Sequence, residues 1–178
     1  MKIIFLDIDG VLNSAEYRRQ LGLQYFSQII DLRKMPLLKK IVEETGAEIV
    51  LSSSWREFWN KGTTQLDPAG TYSERVFLEY GLTILDKTPE KENAGRSAEI
   101  QVWLKQHPYW DGYVILDDKD FGWPASLRAH FIRTDINDDG LEEYQVQEVI
   151  DVLNGKILPV PENKYGFLAW LKKLRNAR

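Results

Sequence analysis

The sequence predicts an α/β domain: a three-layer, doubly wound, mainly parallel sheet with a Rossmann-like core and no large cap domain. Three observations carry that expectation. Short apolar runs rich in β-branched and aromatic residues, such as Ile3-Ile4-Phe5-Leu6 and Tyr113-Val114-Ile115-Leu116, alternate with helical stretches. Such unbroken runs suit strands buried on both faces, the condition of a parallel sheet under two helix layers. Two of the runs end abruptly in carboxylates, at Asp7 and Asp9 and again at Asp117 and Asp118. In an open α/β sheet the carboxyl ends of the strands are where ligands bind.

Taken in order, residues 3–6 form the first strand, too short and too β-branched for a helix. Pro36 opens and Gly46 closes a helix with Leu37, Leu38, Ile41 and Val42 on its apolar side. Residues 47–52 are a second strand, and Ser52-Ser53-Ser54-Trp55-Arg56 turns into another helix. A turn-rich stretch over 62–70 precedes a short helix at 73–80 and a third strand at 82–85. A charged loop over 87–93 leads to a helix from Arg96 to His107 with Ile100, Trp103 and Leu104 inward. Residues 113–118 are the next strand, 131–132 a final edge strand, 146–153 a helix and 165–174 a closing helix. An apolar helical piece is expected around 25–30. There is no internal repeat, and the whole chain, 1–178, reads as one domain with room for small lid elements at 13–35 and 60–80.

Composition narrows the function. A chain with 43% hydrophobic and 28% charged residues fills one core and is far from a disorder signature. The net charge of −4 supplies no global field for nucleic acid or anionic lipid, though a local basic patch stays compatible with it. With no cysteine there is no disulfide, thiolate metal site or cysteine nucleophile. Lys2 precedes only four apolar residues before Asp7, unlike a signal peptide, and no run approaches a membrane span. A cytoplasmic protein with no membrane partner is expected. His107 and His130 stand apart with no ligand-like motif, and Walker A, Gly-x-Gly-x-x-Gly, Gly-x-Ser-x-Gly and zinc-finger spacings are missing.

The chemistry gathers at strand ends. Asp7 and Asp9 sit two apart, so both leave the strand on one side while Ile8 faces elsewhere. Such a pair attracts a hard cation such as Mg²⁺, and Mg²⁺ brings phosphate. One carboxylate can then attack phosphorus while the other handles a proton near the leaving group. A purely structural or Ca²⁺-binding acidic turn is the plainer alternative, and the second acidic strand end, Asp117-Asp118, weighs against it. Gly10 lets the backbone bend closely around a phosphate. Ser52 and Ser53 offer hydroxyls and N–H groups at a helix start, an anion site that also serves as an ordinary N-cap. A cation should balance the phosphate: Arg96 at its helix start is the first choice and Lys91 the alternative, with Lys87 further behind. Arg56 either touches substrate or pairs with a carboxylate. Trp55 and Trp59 fall beside the second strand end, within reach of a ligand.

These residues resemble the haloacid dehalogenase-like (HAD) phosphohydrolase superfamily over residues 3 to about 135. Phe5-Leu6-Asp7-Ile8-Asp9-Gly10-Val11-Leu12 is similar to its first motif, Val50-Leu51-Ser52-Ser53 to its second and Val114-Ile115-Leu116-Asp117-Asp118 to its acidic fourth. The third motif is a single basic residue, matched by Arg96 or Lys91. The resemblance implies Asp7 as nucleophile, Asp9 as general acid/base, Ser52 and Arg96 as phosphate ligands, and Asp117, supported by Asp118, as the further Mg²⁺ ligand. The metal site would thus draw on Asp7, Asp9, Asp117 and Asp118. An acidic residue at position 9 resembles the phosphatase branch.

The phrase Leu51-Ser52-Ser53-Ser54-Trp55-Arg56, together with Arg96-Ser97-Ala98-Glu99-Ile100, resembles a smaller subgroup: HAD domains of phage and bacterial proteins linked to nucleic-acid end repair. With insertions too short for a closing cap, the site is expected to admit a phosphorylated nucleic-acid end or a nucleotide. A small phosphorylated metabolite such as a sugar phosphate is the alternative. Two rival classes carry less. A response-regulator domain would place its phosphorylated Asp on a later strand, and a catalytically silent phosphate- or metal-binding protein would not need every chemical residue type seen here.

Overall fold

A computed structural model of the chain describes residues 1–24, 28–62, 67–90 and 95–156. Among the described residues five strands form one sheet: β1 (Lys2–Leu6), β2 (Glu48–Leu51), β3 (Ile84–Lys87), β4 (Gly112–Asp117) and β5 (Phe131–Arg133). Their order is β3-β2-β1-β4-β5 and every pairing is parallel. The order reverses direction between β1 and β4, the switch point at which open α/β sheets bind ligands.

Helices cover both faces, as unbroken apolar strands require. On one side Ile4, Leu6, Leu51 and Leu116 pack with α2 (Met35–Thr45), α3 (Pro68–Glu79) and α6 (Glu143–Leu153) through Leu38, Ile41, Phe77 and Val149. On the other, Phe5, Val50 and Ile115 meet α4 (Gly95–Gln106) and α5 (Ala125–Arg128) through Ile100, Trp103 and Leu127. Phe5 takes the edge of the Trp103 ring at 5.4 Å. Each such fully buried side chain is worth about 1.5–3 kcal/mol of transfer from water. The fold is the three-layer, Rossmann-like arrangement the sequence predicts, with no large cap among the described residues.

Local signals explain the helix ends. Pro36 sits in the first turn of α2, and Gly46 closes it at φ 66°, donating to the Val42 carbonyl at 2.8 Å. In α6 the Gln145 side chain accepts from the Glu142 N–H at 2.9 Å, one half of a capping box.

Several boundaries differ from expectation. After Ser53 the chain makes only a 3-10 turn, Ser54–Glu57, rather than a helix. The helix placed at 73–80 begins at Pro68, because Asp67 caps it by accepting from the Ala69 N–H at 2.8 Å. The third strand lies two residues later than predicted, which moves Lys87 from a charged loop into β3. The helical piece expected at 25–30 is not seen at 28–30, while 25–27 lie outside the described residues. A short helix, α1 (Ala15–Gln20), comes instead, started by Ser14. The closing helix at 165–174 also lies outside the described residues. Among those described, no helix is long and apolar enough to cross a membrane.

Candidate active site

Register builds the site. Leu6 is level with Leu51 on one side and Leu116 on the other. The ladder runs one step further: the Ser52 N–H donates to the Leu6 carbonyl at 2.8 Å, and the Asp7 N–H to the Leu116 carbonyl at 2.9 Å. Ser52, Asp7 and Asp117 therefore stand abreast where three adjacent strands end. By strand alternation they continue the face of Val50, Phe5 and Ile115, the one α4 covers.

Asp7, Asp117 and Asp118 are all buried, and each offers a carboxylate oxygen within 4.8 Å of the others. Arg96, in the first turn of α4, places Nη1 at 2.6 Å from Asp7 Oδ2 and 2.5 Å from Asp117 Oδ2. A cation in the first turn opposes the helix dipole, so these carboxylates hold it there. The remaining oxygens are tied to backbone: Asp7 Oδ1 accepts from the Ile8 N–H at 2.8 Å, and Asp117 Oδ1 from the Lys119 N–H at 2.9 Å.

Three negative charges thus face one positive one, an excess equal to the charge of a divalent cation. The titration behaviour shows the same imbalance. Burial first, then the charge of Asp7, pushes the Asp117 carboxyl up to about 7, with Arg96 pulling the other way. Asp118 is raised for the same two reasons. Burial works against the Arg96 charge, but Asp7 and Asp117 outweigh it and its pKa is raised. Asp118 Oδ1 is buried with no hydrogen-bond partner among the described residues. Hard oxygen donors, excess negative charge and a vacant acceptor all fit an oxygen-preferring divalent metal held by Asp7, Asp117 and Asp118.

Asp9 stands apart from that trio. Its Oδ1 accepts from Asn13 Nδ2 at 3.0 Å and pairs closely with the buried Arg18, while its Oδ2 accepts from Trp55 Nε1 at 3.1 Å. Three donors from three segments fix its orientation. Between the two aspartates' elements, Gly10 has φ 78°, and a Cβ there would lie 2.5 Å from Asp118 Cβ. No other residue fits that position.

The Ser52 hydroxyl is buried with no hydrogen-bond partner among the described residues, and by register Ser52 stands level with Asp7. Ser53 is occupied as a cap, its Oγ accepting from the Trp55 N–H at 3.3 Å. Arg56 pairs with the buried Glu99 at 2.8 Å, the carboxylate alternative rather than a position on the acidic cluster. Lys87 donates to the Arg56 and Trp59 carbonyls at 2.8 and 2.6 Å and so ties down the 3-10 turn. Lys91 lies outside the described residues. Trp55 and Trp59 are buried, so neither presents a ring face to a ligand.

Sequence reasoning missed Asn13, Arg18 and Glu99, which orient or neutralise the site's charged groups. A signal that could have located the Arg18 segment is Ser14, a residue type suited to the N-cap it forms on α1. Also missed was Phe121, whose ring lies 5.2 Å from the Arg96 guanidinium carbon. Arg133 was missed too; its Nε donates to the Asp118 carbonyl at 3.0 Å.

A parallel sheet of this order, with acidic residues at its switch point and a serine on the neighbouring strand, defines a HAD-type core. Residues 3–146 match the family described as the HAD domain in Swiss Army Knife RNA repair proteins, and the chain belongs to that family. Comparison with curated proteins finds no match.

Proposed function

We propose that the protein is a Mg²⁺-dependent phosphomonoesterase acting through phospho-Asp7, with a phosphorylated nucleic-acid end or nucleotide as substrate. The observation that carries the reading is the buried Asp7–Asp117–Asp118 cluster with Arg96 against it and the unpartnered Ser52 hydroxyl alongside. Held by the three carboxylates, Mg²⁺ would offset the charge of the phosphate and of its surroundings. Arg96 has a planar fork suited to two phosphate oxygens, and Ser52 supplies a further donor.

In this reading an Asp7 oxygen attacks phosphorus and the bond to the leaving oxygen breaks, while Asp9 delivers a proton to that oxygen. Asp9, now a carboxylate, takes a proton from the water that attacks phospho-Asp7. Inorganic phosphate leaves and both aspartates return to their starting state. Asn13, Arg18 and Trp55 keep Asp9 aimed through both steps. We further assign the described residues to one domain in which α1 serves as a small lid element; 68–79, by contrast, is α3, packed on the sheet through Val76 and Phe77. Arg18, on α1, reaches Asp9. The lack of cysteine favours a cytoplasmic setting.

The substrate class draws on the family description, HAD domains of RNA repair proteins. A phosphate-release screen tests it, using sugar phosphates, mononucleotides, and 3′- and 5′-phosphorylated oligonucleotides. The expected result is a preference for nucleotides or oligonucleotide ends. A peak on a hexose or triose phosphate with untouched oligonucleotides would overturn the substrate while leaving the phosphatase.

A further inference from the structure

Phe121 is a large apolar side chain left 42% exposed on the loop that leaves β4, three residues beyond Asp118. That loop is held in place. Asp120 Oδ1 accepts from the Gly122 N–H at 2.9 Å, and Arg128 grips the same carboxylate with both terminal nitrogens, at 2.8 and 3.0 Å. The buried Trp123 ring stands against Phe121 at 84°, centroids 5.6 Å apart, and packs in turn on Phe131 at 5.2 Å. The exposed ring is therefore braced from the core. Arg96 covers part of the ring, its guanidinium carbon lying over it at 5.2 Å from the centroid while Nη1 contacts Asp7 and Asp117, so the 42% of Phe121 that is exposed lies on the remaining ring surface. One guanidinium thus separates the ring from the reacting carboxylate.

We propose that Phe121 is the platform on which the base adjoining the scissile phosphate stacks, making it a specificity-determining residue for nucleotide over sugar substrates. The inference rests on the phosphatase reading above for the position of the phosphate. A phosphate gripped by Arg96 leaves the rest of its ester beside the ring. A nucleobase has a π face to lay on an aromatic side chain, and a sugar or glycerol ester has none. Stacking of this kind tolerates any base, which suits an enzyme that acts on ends irrespective of sequence. Trp55 and Trp59, which follow the second strand in sequence, are buried and offer no exposed ring.

The test compares kcat/KM on phosphorylated oligonucleotides with kcat/KM on glycerol phosphate, for the wild type, Phe121→Ala and Phe121→Trp. Loss of one stacked base should lower the oligonucleotide-to-glycerol ratio about five- to a hundredfold in Phe121→Ala, with Phe121→Trp keeping or raising it. An equal loss on both substrates would mean that the ring only positions Arg96, and would overturn the proposal. So would an unchanged ratio. A second arm needs no turnover: a phosphorylated oligonucleotide ending in 2-aminopurine is bound to Asp7→Asn protein and its fluorescence followed. Quenching that disappears in Asp7→Asn/Phe121→Ala supports the platform even if the wild type hydrolyses nothing, in which case the phosphatase reading alone fails. Hydrolysis without quenching and with an unchanged ratio removes the platform and leaves the phosphatase.

Discussion

Asp7 and Asp9 leave the same strand two residues apart and meet opposite surroundings. Asp7 joins two other buried carboxylates and a guanidinium, whereas Asp9 is one-third exposed and gripped by Asn13, Arg18 and Trp55. In the proposed mechanism this contrast divides the labour: Asp7 would face the metal and phosphorus, Asp9 the leaving group. Asp9→Asn should lower kcat by about 10²–10⁴ on an alkyl phosphate, whose leaving oxygen needs a proton, and by clearly less on p-nitrophenyl phosphate. Equal losses on both esters would remove Asp9 from proton transfer. At this scale the sequence was legible where chemistry sits on the chain's own strand ends, as at Asp7, Ser52 and Asp117. It was silent on Arg18 and Glu99, because their partners Asp9 and Arg56 are brought to them by tertiary packing and no short spacing records that.

The elements were read well wherever both faces of a strand are apolar or a helix carries Pro and Gly at its ends. β1, β4 and α2 lie within a residue or so of expectation for that reason. The edge strand β3 was misplaced by two residues because it is half-buried and ends in Asp86 and Lys87, which read as loop. The 3-10 turn after β2 was taken for a helix because Ser53 caps both in the same way. Turn geometry also yields a prediction at this scale. Gly10→Ala combines a left-handed backbone, worth about 1–2 kcal/mol, with a Cβ set 2.5 Å from Asp118, worth about 1–3 more. A fall in stability of about 2–5 kcal/mol by denaturant titration is expected, together with weakened Mg²⁺ binding as Asp118 is displaced. A variant of unchanged stability would show that the β1–α1 turn does not fix Asp118.

For the whole molecule, the acidic cluster links stability to pH and, as the proposed Mg²⁺ site, to metal. A carboxyl with a folded pKa of about 7 and an unfolded value of 3.8 holds its proton more tightly when folded. Its contribution to stability is complete below the unfolded value and is lost as the pH rises through about 7. The metal-free protein should therefore lose melting temperature between pH 5 and pH 8. Mg²⁺ competes with that proton, so its stabilising effect should be larger at pH 8 than at pH 5.5. Thermal melts at the two pH values with Mg²⁺ and with EDTA check this. A metal-free melting temperature that rises over the interval, or an equal Mg²⁺ shift at both ends, would contradict the assigned cluster.

Whether Asp7 takes the phosphoryl group is read out by acid-quenched labelling with a ³²P-phosphomonoester. In the presence of Mg²⁺ the wild type should carry acid-stable, base-labile label on Asp7 and release phosphate. EDTA should abolish both, and Asp7→Asn, folded by its melting curve, should show neither. Phosphate release by Asp7→Asn at the wild-type rate would contradict the account.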